Sequence, residues 1–242
     1  RLGNIFSVTV IAPRSPGSLD HELLHNVHVI RFGYFFKRLE NLATHGGGIL
    51  YKLNSNPFYY LLLPSFVLFQ LITLIRFLRD KNVDVIHAHW LIPQGLIAFL
   101  ACRLTRRRLP VVCTSHGGDL YALNGRLLNT LKKWIINKSW HLTVVSSSMR
   151  ASVISMGIPS DNVSVIPMGV DLQTHFIPNR TIKRKFPVLL FVGRLVEKKG
   201  AGILIDALPA LLKQYPDLTL KIIGDGPLGD ALRLKTKKLG VH

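Results

Sequence analysis

Short apolar, β-branched runs alternate along the chain with longer segments of helical period. NIFSVTVIAP (4–13), VDVIHAHW (83–90), PVVCTSHG (110–117), HLTVVSS (141–147) and NVSVIP (162–167) are apolar almost throughout, not at every second position. Strands buried on both faces read this way, so these runs predict a parallel sheet. PQGLIAFLACRL, GRLLNTLKKWIINK and SSMRASVISMG lie between them and carry helical spacing. Strand, helix and strand recur every 20 to 30 residues, roughly, as right-handed βαβ crossovers require. The segment 172–186 is polar, holds a proline and is dense in cations towards its end, the composition of a linker. The alternation then restarts with strand PVLLFVG, helix GAGILIDALPALLKQY, strand LTLKIIG and helix PLGDALRLKTKKLG. The pattern predicts an α/β protein with a domain at 1–171, a linker at 172–186 and a second domain at 187–242. Two strands and two helices are too few for a two-sided sheet, so the second domain is expected to be incomplete.

Composition narrows the partners. The chain has 242 residues, 48% of them hydrophobic, enough for one large core or two smaller ones. A formal charge of +18, with both halves basic, points to an anionic partner: a phosphorylated ligand, acidic lipid or nucleic acid. The basic residues are scattered without interleaved aromatics and match no RRM, zinc-finger or helix-turn-helix pattern, so nucleic acid is not expected. Cys102 and Cys113 form no CxxC or zinc spacing and call for no oxidising compartment, so a cytoplasmic setting is expected. RLGNIFSVTV has no secretory-signal pattern, and without an initial Met it reads as the interior of a longer frame.

Ligands of open α/β sheets sit beyond the carboxyl ends of the strands, so each strand end is a place to look for chemistry. PVLLFVGRLVEKKG (187–200) ends in Gly193, then Arg194, Lys198 and Lys199, before Gly200 opens a helix. Gly193 allows close backbone approach, Arg194 a bidentate fork and Lys199 a point charge, and a helix N-terminus adds free amides, an arrangement suited to a diphosphate. The alternative is a solvated turn in which the lysines pair with Glu197 or face water. IIGDGPLGDAL (222–232) repeats the strand-to-turn-to-helix pattern with Gly224 and Gly226, which favours a nucleotide site, although a lone GxG also serves simple turns. In the first domain HAHW places His87 and His89 on one strand face at metal-ligand spacing, but no third ligand follows; hydrogen bonding in a cleft or packing is the alternative. HGGD (116–119) allows a tight turn that faces His116 and Asp119 to the cleft, or an ordinary turn with Asp119 as N-cap.

PFYYLLLPSFVLFQLITLIRFLR (57–79) is long and nearly uncharged. Pro64, Ser65, Gln70 and Thr73 interrupt it, so a helix packed on the sheet is expected first. Arg76, Arg79 and Lys81, with RLTRRR at 103–108, leave attachment to an anionic membrane surface as the second reading.

The order of DVIHAHWLIPQG (84–95), TSHGGD (114–119), VSSSMRASVISMGIP with NVSVIPMGVD (145–171), FVGRLVEKKG (191–200) and LKIIGDGP (220–227) resembles glycosyltransferase family 4, of the two-domain GT-B fold. The likeness covers roughly residues 80–242. It implies two Rossmann-like doubly wound domains and retaining transfer from a UDP- or GDP-linked sugar to a glycan or lipid-linked acceptor, in cell-surface polysaccharide or glycolipid synthesis at the inner face of the membrane. By motif, Arg194 and Lys199, with Gly193, would hold the donor diphosphate. His116 would lie near the transferred sugar as a hydrogen-bonding catalytic residue, Gly224 and Gly226 would border the nucleotide, and His89, Gly117 and Asp119 would face the acceptor cleft. The family works without a metal or other cofactor, and no DxD is present here to hold one. Two departures are that the chain opens at what looks like the family's second strand and stops before its usual pair of glutamates. The chain by itself is therefore expected to have little activity. A non-catalytic basic module on membrane or nucleic acid is the alternative.

Overall fold

The computed structural model describes residues 5–43, 49, 52–53, 56–174, 176–177 and 187–241. The glycine-rich stretch HGGG at 45–48 and residues 178–186 of the linker lie outside them. The chain divides into two compact units, Arg1–Gly169 and Val170–His242.

The first unit contains two sheets. In one, β1 (Val8–Pro13) pairs in parallel with β3 (Val27–Phe32), and β2 (His21–Leu24) pairs antiparallel with β3 at the edge. His25 and Asn26 form the two-residue turn of this β2–β3 hairpin, both with positive φ, as the twist of a tight hairpin favours. The hairpin is not among the predicted strands. Its segment is too short and too polar on β2 to announce itself, and His at the first turn position is no turn signal.

The other sheet is wholly parallel, in the order β4 (Ile86–His89), β5 (Val111–Ser115), β6 (His141–Val144) and β7 (Val163–Val165). Each strand lies inside one of the apolar runs. Helices α2 (Leu96–Thr105), α4 (Arg126–Lys138) and α5 (Ser147–Ser155) make the crossovers, with a one-turn helix α3 (Gly118–Tyr121) ahead of α4. The core joins Ala88, Val111, Cys113, Leu142 and Val144 of the strands to Ala98, Ile135, Ile136, Met149 and Val153 of the helices. Ser146 begins α5 by accepting the Met149 amide on its hydroxyl, which satisfies one of the helix's otherwise orphaned donors.

Helix α1 (Phe58–Asp80) packs against β1, β3 and α2. Leu62, Phe66, Gln70 and Leu78 form its buried stripe, and Phe66 meets Phe32 and Tyr34 edge-on. The expected packing on the sheet is thus present along one stripe. The rest of the helix is far more exposed than a core helix: Leu61 is 72% exposed and Leu68 52%, and Phe58, Tyr60 and Phe69 also face outward.

In the second unit β8 (Val188–Val192) and β9 (Thr219–Ile223) pair in parallel, with α6 (Ala201–Gln214) and α7 (Gly229–Lys238) as the following helices. Leu195, Ala201, Ile205 and Leu232 form the core between these elements. Leu190 and Val192 of β8, alternating with the core-facing residues, are exposed on the other face of the sheet.

Candidate functional site

In the second unit the loops that follow β8 and β9 lie against each other at the carboxyl end of the sheet. Gly193 N–H donates to the Ile223 carbonyl at 3.0 Å, Leu195 N–H to that of Asp225 at 2.9 Å, and Leu228 N–H to that of Leu195 at 3.1 Å. The ladder of the two strands therefore continues into their loops. Gly224 and Gly226 have φ of 152° and 158°, and a Cβ on either would overlap the backbone of Gly193 or Leu195. The close approach that needs glycine is thus between the two loops. Gly193 itself would meet only the Phe191 ring, at ordinary contact distance.

Leu195 points into the core, so the neighbouring Arg194 is carried on the opposite side of the loop, where it is half-buried. A 3₁₀ turn over Glu197–Lys199 leads to Gly200, which starts α6 with no side-chain cap. Lys198 and Lys199 are exposed, and among the described residues neither forms an ion pair with Glu197. The structure thus brings Arg194, Lys199 and an uncapped helix N-terminus onto one loop. Such an end carries partial positive charge and free amide donors.

In the first unit the ends of β4 and β5 adjoin. His89 pairs in register with Thr114, one residue short of Ser115 and two short of His116. His89 Nδ1 and His116 Nε2 are 3.0 Å apart, and their rings, inclined by 12° with centroids 5.2 Å apart, meet edge to edge. The His87 ring is 4.4 Å from that of His89, and its Nε2 lies 2.7 Å from Thr114 Oγ1. Burial first, then the neighbouring imidazoles, pushes His87 and His89 below the usual histidine range. Gly117 has φ +96°, which favours glycine and turns the chain directly after His116.

Asp119 is not in the cleft. It is fully buried: Oδ2 accepts the Leu91 amide at 2.7 Å and Oδ1 accepts the Ser115 hydroxyl at 2.8 Å. Nor does it cap α3, which Gly117 begins without a side-chain bond. The carboxyl group ties the HAHW loop to the HGGD loop. Lys132, 1% exposed, reaches the same region from α4 and donates to the carbonyls of Leu120 and Leu123, both at 2.8 Å. Burial pushes its ammonium below the usual lysine range, and the charge of Asp119 partly opposes that shift. The sequence reading passed over Lys132. The signal was its spacing, on the stripe shared by Ile135, Ile136 and Ser139. Among the described residues no group of three or more His, Cys, Asp or Glu side chains is placed to hold a metal ion.

Parallel strands alternating with helices, with glycine-rich and cationic loops at strand ends, define an α/β protein of the GT-B architecture. The chain belongs to Glycosyltransferase Family 4: the model of that family matches residues 4–174, and that of Glycosyl transferases group 1 matches 173–242. It is similar to the GDP-mannose-dependent alpha-(1-6)-phosphatidylinositol monomannoside mannosyltransferase of Mycolicibacterium smegmatis, 29% identical over 69% of this chain and 45% of that protein. Glycogen synthase of Mycobacterium tuberculosis is 30% identical over 66% of this chain and 40% of its own length. The chain spans about half the length of the curated relatives it matches. Among solved structures, the lipopolysaccharide outer core galactosyltransferase WaaB superposes with TM-score 0.57 at 18% identity, over 97% of this chain and 65% of that one. Anabaena HepE with UDP and glucose gives 0.58 at 20%, over 90% and 55%. At these identities the structures speak for the fold.

Proposed function

We propose that the protein is a retaining glycosyltransferase that moves a sugar from a nucleoside-diphosphate sugar to a glycan or lipid-linked acceptor, without a metal ion. The observation that carries this reading is the loop 193–200, where a half-buried arginine, an exposed lysine and an uncapped helix start share one turn. As the glycosidic bond to the diphosphate breaks, negative charge grows on the leaving group. Fixed cations and amide dipoles stabilise that charge without reorganising, and here they take the part a divalent ion would play. Gly224 and Gly226 hold the second loop against the first and so border the nucleotide. The donor base is uracil or guanine: a relative is named GDP-mannose-dependent, and a structural neighbour holds UDP.

In the first unit His116 is the group proposed to hydrogen-bond the transferred sugar, and His89 and Gly117 lie beside it on the acceptor side. In the complete reading frame His116→Ala is expected to lower kcat by about 10²-fold, the size of a lost transition-state hydrogen bond, with diphosphate affinity unchanged. An unaltered kcat would remove His116 from the reaction.

A lipid-linked acceptor suits the outward residues of α1. The apolar stretch of this helix has a mean hydropathy of 2.1, and only 17% of it is buried. Its packed stripe on β1 and β3 holds it to the protein, so we assign it a place on the bilayer surface, with Arg76, Arg79 and Lys81 at its end near anionic headgroups. With the cytoplasmic setting expected from the sequence, the proposal is an enzyme working at the inner face of a membrane, in polysaccharide or glycolipid synthesis. Flotation with anionic vesicles at low salt is expected to carry the protein upward, and Leu61→Ser/Leu68→Ser to leave it in the soluble fraction. Wild-type protein that stays soluble would contradict the assignment.

A further inference from the structure

Three imidazoles stand in a column across the ends of β4 and β5, and the bonds around them decide how each ring is held. Thr143 donates its hydroxyl to the Cys113 carbonyl at 3.5 Å, and Thr114 Oγ1 lies 2.6 Å from Thr143 Oγ1. Thr114 Oγ1 also lies 2.7 Å from His87 Nε2, so a chain of hydrogen bonds runs from Thr143 through Thr114 to the His87 ring. The second and third rings have a different relation. His89 Nδ1 faces His116 Nε2 at 3.0 Å, a distance at which one nitrogen carries a proton and the other receives it.

The backbone around His89 is unusually constrained. Trp90, the next residue, has φ +88°, a conformation rarely adopted by a bulky side chain. Three hydrogen bonds enforce it. Trp90 N–H donates to the Thr114 carbonyl at 2.7 Å, Gly95 N–H donates to the Trp90 carbonyl at 3.0 Å, and Leu91 N–H donates to buried Asp119 at 2.7 Å. Asp119 also accepts from Ser115, the residue before His116. One buried carboxyl group therefore anchors the chain beside both rings. Such local strain persists only where the surroundings over-determine it.

We propose that His89 is a positioning residue for His116: it shares a single proton between its Nδ1 and His116 Nε2, and so leaves His116 Nδ1 as the nitrogen free to meet a substrate hydroxyl. His89 thereby acts through His116 and need not touch the acceptor. The titratable groups around the pair are His87 on the same strand, with Asp119 and Lys132 buried behind the two loops. The use of Nδ1 in transfer rests on the proposed function; the shared proton does not.

The test is nitrogen-15 spectroscopy of the imidazole rings in the 242-residue chain at a fixed pH. In the wild type a coupling across the hydrogen bond between His89 Nδ1 and His116 Nε2 is expected. His89→Phe is expected to release Nε2 from its hydrogen bond and to shift its nitrogen resonance. His89→Asn places an amide nitrogen where Nδ1 stood and is expected to keep the Nε2 hydrogen bond. Identical His116 Nε2 resonances in all three proteins would overturn the proposal. If His89→Phe does not fold, the coupling in the wild type decides alone. A coupled pair together with an unaffected kcat in His116→Ala would leave the proton sharing standing and remove the transferase role.

Discussion

Asp119→Ala is expected to lower the stability of the first unit by about 3 kcal/mol or more, seen as a fall of roughly 6–12 °C in its melting temperature. Its side chain is wholly out of water and serves two donors, the Leu91 amide and the Ser115 hydroxyl. Alanine leaves the Leu91 amide buried without an acceptor, and the full desolvation penalty of that group is then felt. It also removes a carboxyl group whose charge acts on the buried Lys132 ammonium. Two milder changes grade the effect. Asp119→Asn keeps one accepting oxygen and Ser115→Ala removes one donor, so each is expected to cost less than half as much. A melting temperature for Asp119→Ala within a degree or two of the wild type would mean that the two loops are held by something else.

Arg194→Ala/Lys199→Ala is expected to weaken binding of the donor nucleoside diphosphate by on the order of 10²–10⁴-fold. Each charge-assisted hydrogen bond contributes about 1.5–3 kcal/mol, and 1.4 kcal/mol is a factor of ten in affinity. The second unit should fold as before, because its core is Leu195, Ala201, Ile205 and Leu232, and the two loops meet through Gly224 and Gly226. Lys198→Ala is the control: its ammonium is exposed on the same turn, and its loss is expected to change affinity little. The wild-type affinity should fall as salt is raised, since exposed charges are screened.

The apolar runs made β4 to β9 legible, because short apolar runs bounded by turn residues read as strands; β8 and β9 nevertheless leave one face exposed. Each of those strands lies within the run that predicted it. The β2–β3 hairpin was not legible, since HELL is four residues long with only Glu22 half-buried on that strand. The cationic loop could be read from PVLLFVGRLVEKKG because its glycines and cations are adjacent in sequence. Asp119 could not. HGGD is the same string whether the aspartate faces solvent, caps a helix or turns inward, and its partner Leu91 is 28 residues away. His89 and His116 are likewise 27 residues apart, and only the register of β4 on β5 brings their nitrogens together. For α1 the composition was ambiguous for a physical reason. The helix does two things: one stripe packs on β1 and β3, and the remaining apolar residues are exposed.

Calorimetric titration of the complete reading frame with UDP, GDP and ADP, in the presence of chelator, tests the central claim most directly. The account predicts that one of UDP and GDP binds tightly without a metal ion and that Arg194→Ala/Lys199→Ala abolishes the heat. Absence of binding to all three, or binding that the double variant retains, would contradict it and reduce residues 193–200 to a solvated turn.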